Sequence, residues 1–376
     1  MKKSFFQYIW ERNYMANKKM IHYSIDEIDK KNADINIIYG ERSNGKSYQV
    51  KHKKAIEKYL NTGRRFILMR RMREEISNEK IEQYFADVDI YKLTNGKYNC
   101  ISLYRKTLYL SNYNMDTGKT TRHEKIGYVV ALSTEQNYAG ASYLDVDDII
   151  FEEFMSRSLY LSNEPDKLMN FYCTVDRKRG TTKLWLVGNS ISRVCPYINE
   201  WGLHKIMSTQ KQGTIITKTI KSTDDDTVTI AIEYCKSSGT SSHTIGFNKN
   251  MLNDGSWQTS PQPHLPKSRK CYTSVFKILF IFKNFMFIGD YLRDKEDRKN
   301  VCWFITPYEG KVKPKTIVIS DIVKIDKYWQ RDIYNITVKN KKIQNILNTF
   351  RETNIFYSTD LCGTDFKQVI DFMIRR

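Results

Sequence analysis

The segment that decides the fold reads Ile35-Asn-Ile-Ile-Tyr-Gly-Glu-Arg-Ser-Asn-Gly-Lys-Ser47. An apolar run typical of a β-strand (34–39) leads directly into the pattern Gly-x-x-x-x-Gly-Lys-Ser, and a helical pattern (47–60) follows it. The two glycines allow the loop backbone to curl around phosphate oxygens, so that its N–H groups and the positive end of the helix face one anion. This order of strand, loop and helix predicts a site for a nucleoside triphosphate.

Two side chains of this loop have distinct predicted tasks. Lys46 is expected to reach the terminal phosphates, and the Ser47 hydroxyl is expected to hold Mg²⁺. The residues predicted to bind the nucleotide are Gly40, Arg42, Ser43, Asn44, Gly45, Lys46 and Ser47. The alternative, a glycine-containing surface turn, does not account for the strand and helix on either side.

Composition restricts the class of protein. The chain has 376 residues, of which 40% are apolar and 13% aromatic; this excludes a disordered chain and allows two domains. The formal charge of +19 favours a polyanionic partner such as nucleic acid, although a basic balance could also serve solubility alone. The seven cysteines form no Cys-x-x-Cys pair, so we expect free thiols in a reducing compartment and no zinc site. We predict no membrane span and no secretion signal.

A second motif reads Ile149-Ile-Phe-Glu-Glu153, an apolar strand that ends in two carboxylates. An open α/β sheet binds its ligand at the carboxyl edge of its strands, so these side chains are expected beside the phosphate loop. We predict that Glu152 holds Mg²⁺ and that Glu153 acts as the catalytic base. The first residue of such a pair is usually Asp, and Glu152 is longer by one methylene.

Two further features favour hydrolysis over simple binding. Asn189 ends the next strand pattern (183–189), where an amide can sense the γ-phosphate or place the attacking water. Arg177 and Arg179 lie just before that strand, where an arginine could project into the nucleotide site of a neighbouring subunit. A solvated basic turn is the alternative for either arginine, and their spacing does not choose between them.

The strand and helix patterns predict two domains. Residues 1–235 alternate strand and helix signals, as a mostly parallel sheet with flanking helices requires, with an antiparallel excursion between residues 88 and 110. A polar, Pro-containing segment (236–270) is predicted to be a linker or lid. Residues 271–376 are rich in β-type runs and close with two helical patterns, which indicates a smaller α+β domain.

In this order, the motifs resemble the DNA-packaging (encapsidation) ATPases of small short-tailed, protein-primed phages (Picovirinae type), which are compact relatives of large terminases. The resemblance also includes Phe-Ile-Leu-Met-Arg-Arg71, Ala131-Leu-Ser-Thr134, an Arg-x-Arg turn and Leu-Val-Gly-Asn189, and it extends over residues 30–235. Glu152 in place of Asp is the one mismatch in these core motifs.

The resemblance implies an ASCE-type ATPase with ATP and Mg²⁺ as cofactors. It implies a homopentameric ring at the portal vertex of the prohead, in the host cytoplasm, that drives double-stranded DNA through the ring by ATP hydrolysis. Whether a packaging RNA takes part is left open. The resemblance also places Arg177 at the position of a trans-acting finger. The residues that it places near the inner face of the ring, where DNA passes, are Arg70, Arg71 and Arg73.

For the C-terminal domain, the resemblance implies a degenerate RNase H-like nuclease. A two-metal nuclease needs carboxylates clustered on its central strands. The predicted first strand (277–283) carries none, whereas Asp290, Asp326, Asp365 and Asp371 are scattered along the sequence. We therefore expect a nuclease-like fold without nuclease activity, whose basic surface meets DNA or the portal.

Two other function classes remain compatible with the sequence. One is a different P-loop nucleic-acid motor, such as a helicase or a recombination ATPase, whose ATPase activity single strands would stimulate without any prohead. The other is a non-catalytic DNA-binding protein with a vestigial nucleotide site, which would not turn over ATP.

Overall fold

The computed structural model describes residues 23–156, 160–221, 227–238, 256–257, 259–321, 328–330 and 341–374. Within these ranges the chain forms two compact units. The first contains residues 23–191, 205–238 and 256–257, and the second contains residues 192–204 and 259–374. Segment 192–204, which the sequence analysis assigned to the ATPase domain, thus belongs with the second unit: Arg193 pairs with Asp365, and Val194 packs into that unit's core. About half of the predicted linker (236–270), residues 239–255 and 258, lies outside the described residues.

Nine strands form the sheet of the first unit. They are β1 (Ile35–Gly40), β2 (Arg65–Arg70), β3 (Cys100–Tyr104), β4 (Thr107–Asn114), β5 (Lys119–Ala131), β6 (Val146–Glu152), β7 (Lys183–Asn189), β8 (Thr214–Lys221) and β9 (Thr227–Tyr234). Their order is β3-β4-β5-β2-β6-β7-β1-β9-β8. The six strands from β5 to β9 in this order run parallel, and the pairs at both edges are antiparallel.

The helices between residues 23 and 221 are short. They are α1 (Asp26–Asp29), α2 (Lys46–Val50), α3 (Lys58–Thr62), α4 (Asn78–Phe85), α5 (Ile90–Leu93), α6 (Glu164–Asp176), α7 (Pro196–Glu200) and α8 (His204–Thr209). A π-helical stretch (Lys51–Glu57) joins α2 to α3, so the phosphate loop is followed by one continuous helical segment. Among the described residues, no helix is both long and apolar enough to span a bilayer.

The central strands read as unbroken apolar runs because both of their faces are covered. Every residue of β1 is buried, and so is every residue of β6 except Asp147. Burial of apolar surface at roughly 25 cal/mol per Å² is what holds helices onto such a sheet. The parallel sheet and the antiparallel excursion predicted from the sequence are therefore both present.

Residues 88–93 differ from the prediction, which made them β-type. The structure has helix α5 here, because the Asp89 carboxylate accepts a hydrogen bond from the Lys92 backbone N–H at 2.9 Å and caps the helix. A local cap of this kind outweighs the β propensity of the neighbouring residues. The sequence patterns also gave no signal for β8 and β9, which complete the sheet beside β1.

The second unit has a six-stranded sheet. Its strands are β10 (Tyr272–Phe282), β11 (Phe285–Asp294), β12 (Val301–Pro307), β13 (Ile317–Ser320), β14 (Trp329–Gln330) and β15 (Ile355–Tyr357). An antiparallel meander, β10-β11-β12, is extended in parallel by β13 and β14 beyond β10 and by β15 beyond β12. The strand order of this sheet is β14-β13-β10-β11-β12-β15. Two helices, α9 (Lys341–Glu352) and α10 (Asp360–Ile374), complete the unit.

Arg71 is a buried link between three elements of the first unit. Its Nε donates to both carboxylate oxygens of Glu164 at 3.0 Å, where α6 begins. Its other nitrogens donate to the carbonyls of Glu153 and Phe154, just beyond β6. The Glu164 side chain is completely buried and that of Arg71 is 6% exposed. Arg71 therefore stabilises the ends of β2 and β6, which contradicts its assignment to the DNA-contacting residues.

We predict that Arg71→Gln lowers the free energy of unfolding by about 3 to 5 kcal/mol, because the change leaves the Glu164 carboxylate buried without its cation. Chemical denaturation measures this. Arg73→Gln is the matched control: Arg73 is exposed, and its loss should change stability by no more than about 0.5 kcal/mol. Equal stability of the two variants, with DNA binding lost only in Arg71→Gln, would restore the original assignment.

Candidate functional site

Three strand ends meet at one edge of the first sheet. Gly40, the last residue of β1, is in register with Asn189, the last residue of β7. Glu152, the last residue of β6, is in register with Val187 of the same strand β7. The phosphate loop, the acidic strand end and Asn189 therefore lie at the same carboxyl edge, where the sequence placed them.

The loop itself has a backbone that requires glycine. Gly45 has φ +95° and precedes the first residue of α2, a conformation that a side chain would strain. Ser43 is also left-handed, with φ +65°. Of the other predicted binding residues, Arg42 and Ser43 are exposed, whereas Asn44 is buried and its side-chain oxygen accepts from the Lys46 N–H at 3.2 Å.

Lys46 is buried among oxygen atoms of the protein. Its Nζ donates to the Glu41 carbonyl, to Asn44 Oδ1 at 3.1 Å and to Asn189 Oδ1 at 3.4 Å. Burial lowers the pKa of the ammonium from its ordinary value, and the nearby Glu152 and Glu41 carboxylates oppose that shift. An ammonium that three oxygens surround at the mouth of the loop can exchange them for phosphate oxygens.

Glu152 is held between two hydroxyl groups. Ser47 Oγ donates to Oε2 at 2.9 Å, and the Tyr84 hydroxyl donates to Oε1 at 2.8 Å. Burial raises the pKa of the Glu152 carboxyl, while the hydrogen bonds from Tyr84 and Ser47 lower it. A hydroxyl and a carboxylate side by side form the oxygen donor set that Mg²⁺ prefers. The two residues predicted to hold the metal are therefore adjacent.

Glu153 has a different environment from its neighbour. Its side chain is 65% exposed, and its backbone is left-handed with φ +58°, an uncommon conformation for a residue with a side chain. Arg70 approaches its carboxylate at 3.5 Å and donates to Glu75 at 3.0 Å. The two adjacent carboxylates thus separate into one that is buried and fixed and one that faces solvent.

Two site residues were missed by sequence reasoning. Tyr84 comes from α4, 68 residues before its partner Glu152, and nothing in the local pattern marks it. Glu41, inside the phosphate loop, is buried and accepts hydrogen bonds from Ser237 Oγ at 2.8 Å and the Ser238 N–H at 2.6 Å. The unusual acid at the second position of the loop was the available signal for Glu41.

Arg177 and Arg179 lie far from this site in their own subunit. Helix α6 begins at Glu164, beside Arg71, and extends about 18 Å towards the opposite edge of the sheet before it ends at Asp176. Arg179 donates to the carbonyl of Val146, the first residue of β6, which is about 20 Å from Glu152 along the strand.

The two arginines also differ from each other. The Arg179 guanidinium is satisfied by the carbonyls of several residues, namely Tyr143, Leu144, Val146, Val175 and Asp176. Arg177 is exposed, and one of its terminal nitrogens donates to the carbonyls of Gly140 and Ala141. Arg179 therefore joins residues 143–146 to the end of α6, which leaves Arg177 as the arginine that can move.

In the second unit, Asp290 is neutralised by neighbouring polar groups. Arg269 donates to its carboxylate at 2.6 Å, Ser274 donates to its other oxygen, and Lys277 lies 3.8 Å away. Lys277 stands opposite Asp290 on β10, where a nuclease would need an acid. Within the described residues, no three His, Cys, Asp or Glu side chains come together in a way that could hold a metal ion.

Comparison with known proteins places the chain among phage packaging proteins. A family model described as the Podovirus DNA encapsidation protein (Gp16) matches residues 17–211. The DNA packaging protein of Bacillus phage B103 is 32% identical over 178 residues, 45% of this chain and 48% of that protein. The corresponding protein of Bacillus phage phi29 is 28% identical over 187 residues, 48% of this chain and 49% of that protein. The chain thus spans about half the length of the curated relatives it matches.

A solved structure extends the likeness in fold. The bacteriophage Phi-29 viral genome packaging motor assembly contains a chain that is 19% identical, with a TM-score of 0.54 over 94% of this chain and 99% of that one. The similarity therefore includes the second unit as well as the first. Since the family model matches more than half of the sequence, this chain belongs to the Podovirus DNA encapsidation protein (Gp16) family.

Proposed function

We propose that this protein is an ATP-driven motor that translocates double-stranded viral DNA into a preformed prohead. The observation that carries the proposal is the contact between Ser47 and Glu152, with the Lys46 ammonium beside it at the carboxyl edge of a parallel sheet. This arrangement suits a magnesium-bound nucleoside triphosphate and has no evident purpose in a protein that only binds DNA. Membership of the encapsidation family and the formal charge of +19 support DNA as the cargo.

Each residue of the site has a proposed task. Lys46 exchanges its protein oxygens for those of the terminal phosphates, and Asn189 lies where it can contact the γ-phosphate. Ser47 and Glu152 would hold Mg²⁺, which when bound neutralises charge on the phosphates. Glu153 accepts a proton from the attacking water, and its exposed side chain is free to turn towards the site.

The proposed motor is a ring in which hydrolysis occurs between subunits. Arg177 cannot reach the nucleotide of its own subunit, because it lies at the opposite edge of the sheet. In a closed ring this edge can face a neighbour's site, where an arginine stabilises charge on the transferring phosphoryl group. We propose a pentamer at the portal vertex, in the host cytoplasm. Each subunit has domains close to residues 1–235 and 271–376. The second of these docks to the portal or DNA without cutting it.

We predict that Glu153→Gln binds ATP but hydrolyses it at least about a hundredfold more slowly, because the amide keeps the shape of the side chain and loses the base. Glu152→Gln should instead raise the Mg²⁺ concentration needed for activity. Nucleotide binding and Mg²⁺ titrations of the ATPase rate measure the two effects. Lys46→Ala, which removes the contact to both phosphates, is the inactive reference; near-normal turnover in that variant would refute the nucleotide site.

We predict that Tyr84→Phe shifts the acidic limb of the ATPase rate to higher pH and raises the Mg²⁺ concentration needed for activity. The Tyr84 hydroxyl lowers the pKa of the buried Glu152, so its loss raises that pKa further and the carboxylate protonates at a higher pH. Carbonyl infrared bands of the nucleotide-free protein report the same protonation without turnover. Tyr59→Phe is the matched control, because it removes a tyrosine–glutamate hydrogen bond (to Glu124) away from the site. Identical profiles for both variants would remove Tyr84 from the site.

We predict that Arg177→Ala binds ATP normally yet loses about a thousandfold in rate as a homo-oligomer, since this is the typical contribution of an arginine finger. Rings that mix Arg177→Ala with Glu153→Gln should recover activity, because some interfaces then pair an intact Glu153 with an intact Arg177. Lys178→Ala, the neighbouring exposed change, should leave the rate unchanged. No recovery in rings shown to be mixed would exclude a trans role for Arg177.

A further inference from the structure

A basic and aromatic surface lies on the antiparallel side of the first sheet. We call it the Tyr104 surface, and it consists of Tyr104, Arg105, Lys106 and Arg122. The Tyr104 side chain is among the large apolar groups left exposed, at 44%. The guanidinium carbons of Arg105 and Arg122 lie 5.2 and 4.6 Å from the centre of its ring.

The backbone of this surface is unusual. Arg105 and Lys106 form the two-residue turn between β3 and β4, and both are left-handed, with φ +45° and +65°. Such turns favour Asn-Gly, because residues with longer side chains are strained there. Two consecutive basic residues at this turn indicate that their side chains are needed where they project.

The charges of Arg105, Lys106 and Arg122 are not paired with carboxylates of the described residues. Within the described part of the chain, none of Arg105, Lys106 and Arg122 forms an ion pair with a carboxylate, and their side chains contact tyrosines. Lys106 donates to the Tyr138 hydroxyl at 2.9 Å. Burial raises the pKa of the Glu82 carboxyl and the nearby Arg122 opposes that rise, so Glu82 can offset only one of the three charges.

The Tyr104 surface lies near the end of β2, beyond which Arg73 is exposed. The Lys106 carbonyl accepts from the Val129 N–H of β5, and Arg70 at the end of β2 is in register with Ala131. Two strand spacings, about 10 Å, therefore separate the turn from the end of β2, beyond which Arg73 is exposed. The Arg105-Lys106 turn and Arg73 therefore lie at the same carboxyl edge of the sheet, and Arg122 reaches Tyr104 from the earlier part of β5.

We propose that the Tyr104 surface contacts the phosphate backbone of double-stranded DNA. Guanidinium groups that lie 5.2 and 4.6 Å from the centre of one ring are attracted to it, so they lose less side-chain entropy when they bind a phosphate in a forked geometry. Double-stranded DNA carries one phosphate charge per about 1.7 Å of its axis, which is the ligand that these closely spaced cations match. The proposal deepens the proposed DNA-handling function by assigning it a surface beyond Arg70 and Arg73.

The test is DNA binding by the full chain in the absence of nucleotide, measured by fluorescence anisotropy of a short mixed-sequence duplex at several salt concentrations. In the double variant Arg105→Gln with Arg122→Gln, we expect the slope of log Kd against log salt to fall by about 1.8, since each neutralised phosphate contributes about 0.9. The double variant Lys30→Gln with Lys31→Gln removes the same charge beside the acidic helix α1, and it should leave the slope unchanged. Equal slopes in the two double variants would overturn the proposal.

A second pair of variants separates the contribution of the Tyr104 ring to DNA binding from that of the arginine charges. Tyr104→Leu should weaken binding several-fold with an unchanged salt slope, because it frees the guanidiniums without removing them, whereas Tyr104→Phe should bind as the parent protein does. An RNA duplex or polyglutamate that binds the surface more tightly than DNA would overturn the assignment to DNA. Basal ATP hydrolysis should persist in all these variants. Its absence from the parent protein would count against the proposed motor, while the binding measurements would still decide the Tyr104 surface.

Discussion

The burial of one carboxylate, Glu152, organises the site. A charged group removed from water needs hydrogen bonds from several directions, and here Ser47 and Tyr84 supply them from two different elements. These bonds tie the first turn of α2 and the last turn of α4 to the end of β6. A change at α2, α4 or the end of β6, such as the binding of a phosphate group beside Ser47, must therefore affect the other two elements.

The same constraint gives a physical reason for a glutamate where an aspartate is usual. Glu152 spans the gap between two hydroxyl groups, and an aspartate would be shorter by about 1.5 Å. It could keep the contact with Ser47 only by giving up that with Tyr84. The residue that looked like a departure from the motif is matched by a tyrosine that the motif does not include.

Residues of like charge that are one or two positions apart have different environments in this structure, and burial is what separates them. Glu152 is enclosed whereas Glu153 faces solvent; Arg71 is enclosed whereas Arg73 is exposed; Arg179 donates to five carbonyls whereas Arg177 is exposed and donates to two. In each pair the enclosed member fixes the backbone. In the proposed motor the exposed member is presented from a rigid support, which a group that acts on the nucleotide, DNA or a neighbouring subunit requires.

Sequence reasoning succeeded where the physical signal is local and failed where it is not. The phosphate loop, the acidic strand end and Asn189 were predicted to meet, because the carboxyl ends of parallel strands share an edge whatever the remaining sequence is. The burial of Arg71 depends on Glu164, 93 residues away, and no local pattern contains that partner. The resemblance to packaging ATPases suggested a DNA contact for Arg71, and only tertiary packing shows that its charge is paired with Glu164. The exposed arginines around Tyr104 were equally invisible to the motif analysis, since their distinguishing feature is a shared ring rather than a spacing.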